Sequence, residues 1–215
     1  MKLISPTWDL INPENTQAGI DSLRFIEKLA RISHRSEERQ TLDSWERFLK
    51  AVVLEHGDWS VVEHASATVI FRVNRGVTHE LVRHRLFSFT QESTRFVNGA
   101  KSYPEGLEFI EPANADGFGI AYEVAEKVYL TALEKGVRPQ EARAVLPNAL
   151  ASTIAVTGNL RNWRHFLIMR TTKETHPDFR QVTIPLLAEF QKRIPLFYDD
   201  IEPLGKQSES TRKMR

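Results

Sequence analysis

The stretch ASATVIFRVNRGVTHELVRHRLFSFTQESTR, residues 65–95, sets the architecture. Ala65 to Val73 alternates β-branched and small residues and predicts a strand. Asn74-Arg-Gly76 turns the chain. Val77 to about Arg85 then predicts a short helix with Val77, Leu81 and Val82 on its buried face. From Leu86 to Tyr103 the residues are polar and aromatic without a clear period. That segment reads as a functional loop with strand character, closed by Pro104-Glu-Gly106.

Outward from this centre the pattern mixes helix and strand. Lys2 to Leu10 predicts a short strand leading into Pro13, and Asp21–Ile32 a helix through Leu23, Ile26, Leu29 and Ile32. Ser36 to about His56 predicts a second amphipathic helix through Leu42, Trp45, Leu49 and Val53, stopped by Gly57 and Asp58. Towards the C-terminus, Ala121–Lys135 predicts a helix through Val124, Val128, Leu130 and Leu133, ended by Gly136. Pro139 starts a short helix that reaches Val145 before Pro147. Leu150–Val156 predicts a strand, and Asn159 caps a helix running through Trp163, Phe166 and Leu167 to Arg170. Pro177 opens a last long helix through Val182, Ile184, Leu187, Phe190 and Ile194. There are no repeats and no internal linker, so the expectation is one α+β domain over residues 1–204. The polar tail GKQSESTRKMR, residues 205–215, is expected to be disordered.

Composition narrows the function. Of 215 residues, 41% are hydrophobic and 27% charged, enough apolar material for a core. The absence of cysteine excludes disulfides, thiolate metal sites and a Cys nucleophile, and fits a reducing cytoplasm. The 29 Lys and Arg against 28 Asp and Glu leave a net charge of +1, without the basic excess of a general nucleic-acid binder. No signal peptide and no membrane span are expected, since the N-terminus lacks a basic start before an apolar run and no stretch of about 18 apolar residues occurs.

The chemistry concentrates in Arg83–Arg95, which holds three arginines, one histidine and two serines. Guanidinium forks grip phosphates and carbonyls, and serine hydroxyls with a loop backbone complete a phosphate cradle. A solvated polar loop is the plainer alternative. His79 and His84 are five apart, on different helix faces, so no metal site is expected. His56 and His64 read as structural, and His176 as a helix-start residue or part of a ligand pocket. Trp59 and Phe87 fit stacking on a flat ring or interface packing equally well.

Arg83-His84-Arg85, seven residues, then Ser93 resembles the signature of the flavin-dependent thymidylate synthases. Ser88, Glu92 and Arg95 are similar to the family pattern as well. Ala30-Arg31-Ile32-Ser33, His56-Gly57 with Glu63-His64, Glu141-Ala142-Arg143 with Leu146-Pro147, and Asn159-x-Arg161 with Arg170 resemble further family elements in the same order. The resemblance implies a mixed or antiparallel sheet flanked by helices, and a homotetramer whose sites are built from several subunits. It implies FAD contacts from Ser33, Ser60, Arg83, His84, Arg85, Gln91, Asn159, Arg161 and His165. It implies dUMP contacts from Glu80, Arg83, Gln91, Glu92, Ser93, Arg95, Arg143 and Arg170, with Arg143 serving a neighbouring chain's nucleotide. Arg170, facing the uracil ring, and Ser93 would be the catalytic pair. Methylenetetrahydrofolate and NADPH would be co-substrates. Glu80, Gln91, Glu92, Phe96, Asp58 and Ser60 depart from frequent family residues and indicate a different branch.

The chemistry is consistent with a chain lacking cysteine. Carbon 5 of uracil is a poor nucleophile, and thiolate addition at carbon 6 is closed here. A fixed guanidinium such as Arg170 can instead draw charge onto the ring carbonyl and N3. Ser93 can position or polarise the substrate. No glycine-rich dinucleotide fingerprint is present, so the flavin site is not of Rossmann type. Two other readings remain: a non-catalytic nucleotide- or RNA-binding module, and a flavoenzyme acting on another pyrimidine.

Overall fold

The computed structural model describes residues 1–204; the tail expected at 205–215 lies outside the described residues. In chain order the elements are β1 (Lys2–Leu3), β2 (Thr7–Asn12), α1 (Thr16–Ile32), α2 (Ser44–Leu49), β3 (Ser66–Asn74), α3 (Arg75–Leu81) and β4 (Ser88–Gln91). Then come α4 (Gly99–Ser102), β5 (Glu108–Phe109), α5 (Gly119–Glu134), α6 (Pro139–Ala142), β6 (Ala151–Asn159), α7 (Leu160–Arg170) and α8 (Pro177–Arg193). A four-stranded sheet has the order β2-β3-β6-β4, and β1 pairs with β5 in parallel, Lys2 opposite Glu108 and Leu3 opposite Phe109. An antiparallel bridge joins Phe109 to Leu150. The mixed α+β architecture matches the expectation.

The chain clusters into two compact units. The first comprises Met1–Trp8, Ile70–His84 and Phe89–Ala155. Its core gathers Leu107, Phe109, Tyr122, Tyr129, Ala142 and Leu150, with the rings of Phe109 and Tyr122 stacked 5.1 Å apart. The second comprises Asp9–Val69, Arg85–Ser88 and, among the described residues, 156–204. Its core is aromatic: Trp163 lies 5.3 Å from Phe190, Phe166 5.7 Å from Phe179, and Phe190 5.0 Å from Tyr198. Here α1 approaches the end of α8 so closely that a Cβ on Gly19 would sit 1.7 Å from the Arg193 carbonyl oxygen, so only glycine fits.

Four expectations need correction. Lys2–Leu10 is not one strand: Ser5-Pro6 separates β1 from β2, because proline has no N–H to give a ladder. The helix expected over Ser36–His56 is broken into a 3-10 turn at Glu37–Arg39, α2, and a π segment at Lys50–Glu55. Leu42 lies outside all three and is 71% exposed. On α5 the buried face carries Tyr122, Glu126 and Tyr129, while Val124 and Val128 are exposed. Two tyrosines bury more ring surface than two valines, so they set the face that packs. Helix α3 stops at Leu81, leaving Val82 exposed. Pro185 sits inside α8, which continues past it.

Candidate active site

The strand–turn–helix at Ser66–Leu81 forms as its residues dictate. Asn74 ends β3, and its side chain accepts the Val77 amide at 2.9 Å, capping α3. The chain leaves α3 at Val82 into the turn that carries Arg83 and Arg85, both exposed, and half-buried His84. In the first unit, β4 then delivers Gln91, Glu92 and Ser93. Gln91 donates from its amide to Thr78 Oγ1 at 3.0 Å and Ser152 Oγ at 3.2 Å, both on buried residues. Glu92 instead accepts from Arg72 at 3.0 Å and from the Tyr103 hydroxyl.

The segment after Glu92 is a tight turn. The Ser93 carbonyl accepts from the Phe96 and Val97 amides at 3.2 and 2.9 Å, and the Arg95 amide donates to Ser93 Oγ at 3.3 Å. As an acceptor there, the hydroxyl keeps its own proton to donate. Arg143, in the 3-10 turn after α6, reaches Thr94 Oγ1 at 2.9 Å, and Arg95 reaches Gln140 at 3.3 Å. The structure therefore brings exposed Arg95 and, from the separate 3-10 turn, exposed Arg143 to the half-buried Ser93-Thr94 turn. Arg75, the first residue of α3, was not singled out by the sequence. Burial and then the charge of Arg143 push its pKa below the ordinary guanidinium value. Half-buried Glu80 lies on α3, and its carbonyl accepts from the Arg83 amide at 3.2 Å.

In the second unit Asn159 and Arg161 stand at the start of α7, and the segments carrying Arg85 and Ser60 are tied to that helix through their neighbours. Asn159 caps α7 by accepting the Asn162 amide at 2.8 Å. Asn162 in turn donates to the Leu86 carbonyl at 3.2 Å, tying the residue after Arg85 to this helix. Phe87 is buried against Trp163 and Phe166, at 4.7 and 5.8 Å, so it is core rather than a stacking platform. A Cβ on Gly158 would fall 2.2 Å from the Phe87 ring, so this close approach needs glycine. Arg161 pairs with Glu63 at 2.6 Å, joining α7 to the 3-10 turn Trp59–His64 that carries Ser60. Trp59 is buried against Phe197, at 5.9 Å, with the Arg164 guanidinium over its ring at 4.8 Å, and so is core as well. Ser60 and His165 are exposed, and Ser33 caps the end of α1 with its hydroxyl donating to Ala30.

A helix N-terminus with arginines beside it attracts anions. At the start of α7 the charge of Arg161 is balanced by Glu63 while Asn159 caps the helix, and exposed Arg85 and Ser60 lie in the segments joined to it through Leu86 and Glu63. Arg170 ends the same helix, so it stands about 14 Å along the axis from Arg161 at a rise of ~1.5 Å per residue. Its guanidinium lies over the Phe179 ring at 5.3 Å, and its carbonyl accepts from Thr183 at 2.6 Å. His176 takes the cap position of α8 without a side-chain capping bond. No helix among the described residues is long and apolar enough to cross a membrane.

Comparison with known proteins places this arrangement. Residues 17–196 match the family model described as thymidylate synthase complementing protein. The chain is 39% identical over 168 residues to a flavin-dependent thymidylate synthase of Corynebacterium efficiens, covering 70% of this chain and 67% of that protein. It is 38% identical over 168 residues to the enzyme of that name from Corynebacterium glutamicum, with the same coverage. A solved structure, the UMP/dUMP methylase PolB of Streptomyces cacaoi bound with 5-Br dUMP, shares the fold. Its TM-score is 0.73 at 22% identity, covering 93% of this chain and 96% of that one.

Proposed function

The chain belongs to the flavin-dependent thymidylate synthase family, and we propose that it carries out the reductive methylation of dUMP to dTMP. Methylenetetrahydrofolate is the carbon donor in this reading and NADPH the reductant. The observation that carries it is the contact between Arg143 and Thr94, which sets a second guanidinium beside Ser93 and Arg95 in the turn. Two arginines and a hydroxyl with a free proton are what a nucleotide phosphate and sugar need.

Each residue then has a task. Ser93, Arg95 and Arg143 hold the nucleotide, with Arg83 and the Gln91–Ser93 backbone beside them. Arg170 presents a fixed charge to the uracil carbonyl and N3 and stabilises the anion that makes carbon 5 nucleophilic. Ser33, Ser60, Arg83, His84, Arg85, Gln91, Asn159, Arg161 and His165 would hold FAD. Asn159 can offer Nδ2 as a donor while Oδ1 caps α7. When bound, FAD supplies the hydride route from NADPH that no side chain provides.

The assembly in this reading is a homotetramer with shared sites; Arg143, in contact with Thr94 of its own chain, joins that chain's nucleotide site and not a neighbour's. Ile120, Val124 and Val128 support it, forming an exposed apolar stripe at helical spacing on α5. The absence of cysteine fits a cytoplasmic enzyme. The absorbance spectrum of the purified protein tests the reading. Flavin bands that shift on adding dUMP are expected. Colourless protein that cannot be reconstituted with FAD, yet binds RNA, would make it a nucleotide-binding module instead.

A further inference from the structure

Arg72 belongs to no motif and to no residue set assigned above, yet it organises the sheet face beside Ser93. On β3, Ala67, Val69, Phe71 and Val73 are buried, and Arg72 alternates onto the other face. Its guanidinium donates to Glu92 Oε2 at 3.0 Å, Thr153 Oγ1 at 2.8 Å, Glu108 Oε2 at 3.1 Å through Nε, and the Tyr103 hydroxyl at 3.3 Å. Burial works against its charge, but the hydrogen bonds to Glu108 and Tyr103 outweigh that and hold its pKa above the usual value. Glu92 is fastened further: its amide donates to the Thr153 carbonyl at 2.9 Å, and its carboxylate accepts the Thr153 amide at 3.3 Å.

Gln91, one residue earlier, is anchored on Thr78 and Ser152 instead. The two residues before Ser93 are thus fixed by separate sets of partners. We propose that Arg72 is a positioning residue for dUMP: through Glu92 it holds the Ser93–Arg95 turn in the geometry that grips the nucleotide. Glu92 is on this account a strut and not a nucleotide contact, which also keeps its charge neutralised near a phosphate. Lysine cannot substitute, because a single ammonium cannot serve Glu92, Glu108, Thr153 and Tyr103 together as a planar fork does. The inference rests on the dUMP reading above.

The test uses full-length, FAD-loaded enzyme and four proteins: wild type, Arg72→Lys, Arg72→Met, and Arg72→Met with Glu92→Gln. Arg72→Met is expected to raise the KM and Kd for dUMP about tenfold, the scale of one charged hydrogen bond, with kcat within about threefold of wild type. The KM for methylenetetrahydrofolate stays unchanged. Arg72→Lys falls between the two. The double variant recovers about threefold of the lost affinity, because it removes the stranded carboxylate. Should Arg72→Met not fold, the same split between KM and kcat is read in Arg72→Lys. Variants that match wild type in dUMP affinity overturn the role of Arg72, as does a uniform loss in kcat and every KM without rescue. Wild type that binds no dUMP overturns the parent reading, and this inference with it.

Discussion

Arg143 reaches Thr94 across 49 residues of sequence, and that contact gives the site its testable core. Removing the guanidinium in Arg143→Ala takes away a charge-assisted hydrogen bond of ~1.5–3 kcal/mol, so the Kd for dUMP should rise roughly 10–100-fold in a flavin-monitored titration. An unchanged Kd would remove Arg143 from the nucleotide site. On the role proposed for Arg170, Arg170→Ala should lower kcat by roughly 10²–10³ while the protein stays yellow. Equal turnover in variant and wild type would reject that role. The arginines and Ser93 stand out in the sequence as a dense cluster that resembles the family signature, and these variants test their roles. The partners of Gln91 and Glu92 are not legible there, since no local pattern says that adjacent side chains will find Thr78 and Arg72.

At the scale of elements, legibility followed how completely one face is apolar. Helices α7 and α8 read well because Trp163, Phe166, Phe179 and Phe190 bury large rings on one side. The cap at Asn159 was legible for its short side chain alone, and Asn159→Ala should lower stability by ~1 kcal/mol in denaturant unfolding. The α2 region misled because Leu42, Trp45, Leu49 and Val53 keep a helical spacing that the backbone does not follow. On α5 the valines suggested one face and the tyrosines took another. Phe87 reads as a stacking ring or an interface residue, and its place in the core is not legible because its partner Gly158 lies 71 positions away. Gly158→Ala forces that ring aside and should cost about 1–3 kcal/mol in unfolding free energy, with weaker FAD retention as the turn before Phe87 shifts. A variant that unfolds and binds flavin like wild type would show that the packing of Phe87 does not position the turn.

For the whole molecule, the α+β class was open to reading, but the division into two units was not. Each unit is assembled from three separate stretches, and nothing local marks Ile70 or Val156 as a crossing point. As a homotetramer the enzyme should sediment at four times the 24.7 kDa chain mass. Val124→Glu, which places a charge in the exposed stripe of α5, should yield smaller species and less turnover per chain; an intact tetramer would locate the interface elsewhere. Tritium release from dUMP labelled at carbon 5 reports whether the chain methylates that carbon. Release is expected to require methylenetetrahydrofolate, NADPH and bound FAD together, in a protein without cysteine. Flavin-loaded protein that binds dUMP and releases no tritium with all three present would contradict the proposed methylation.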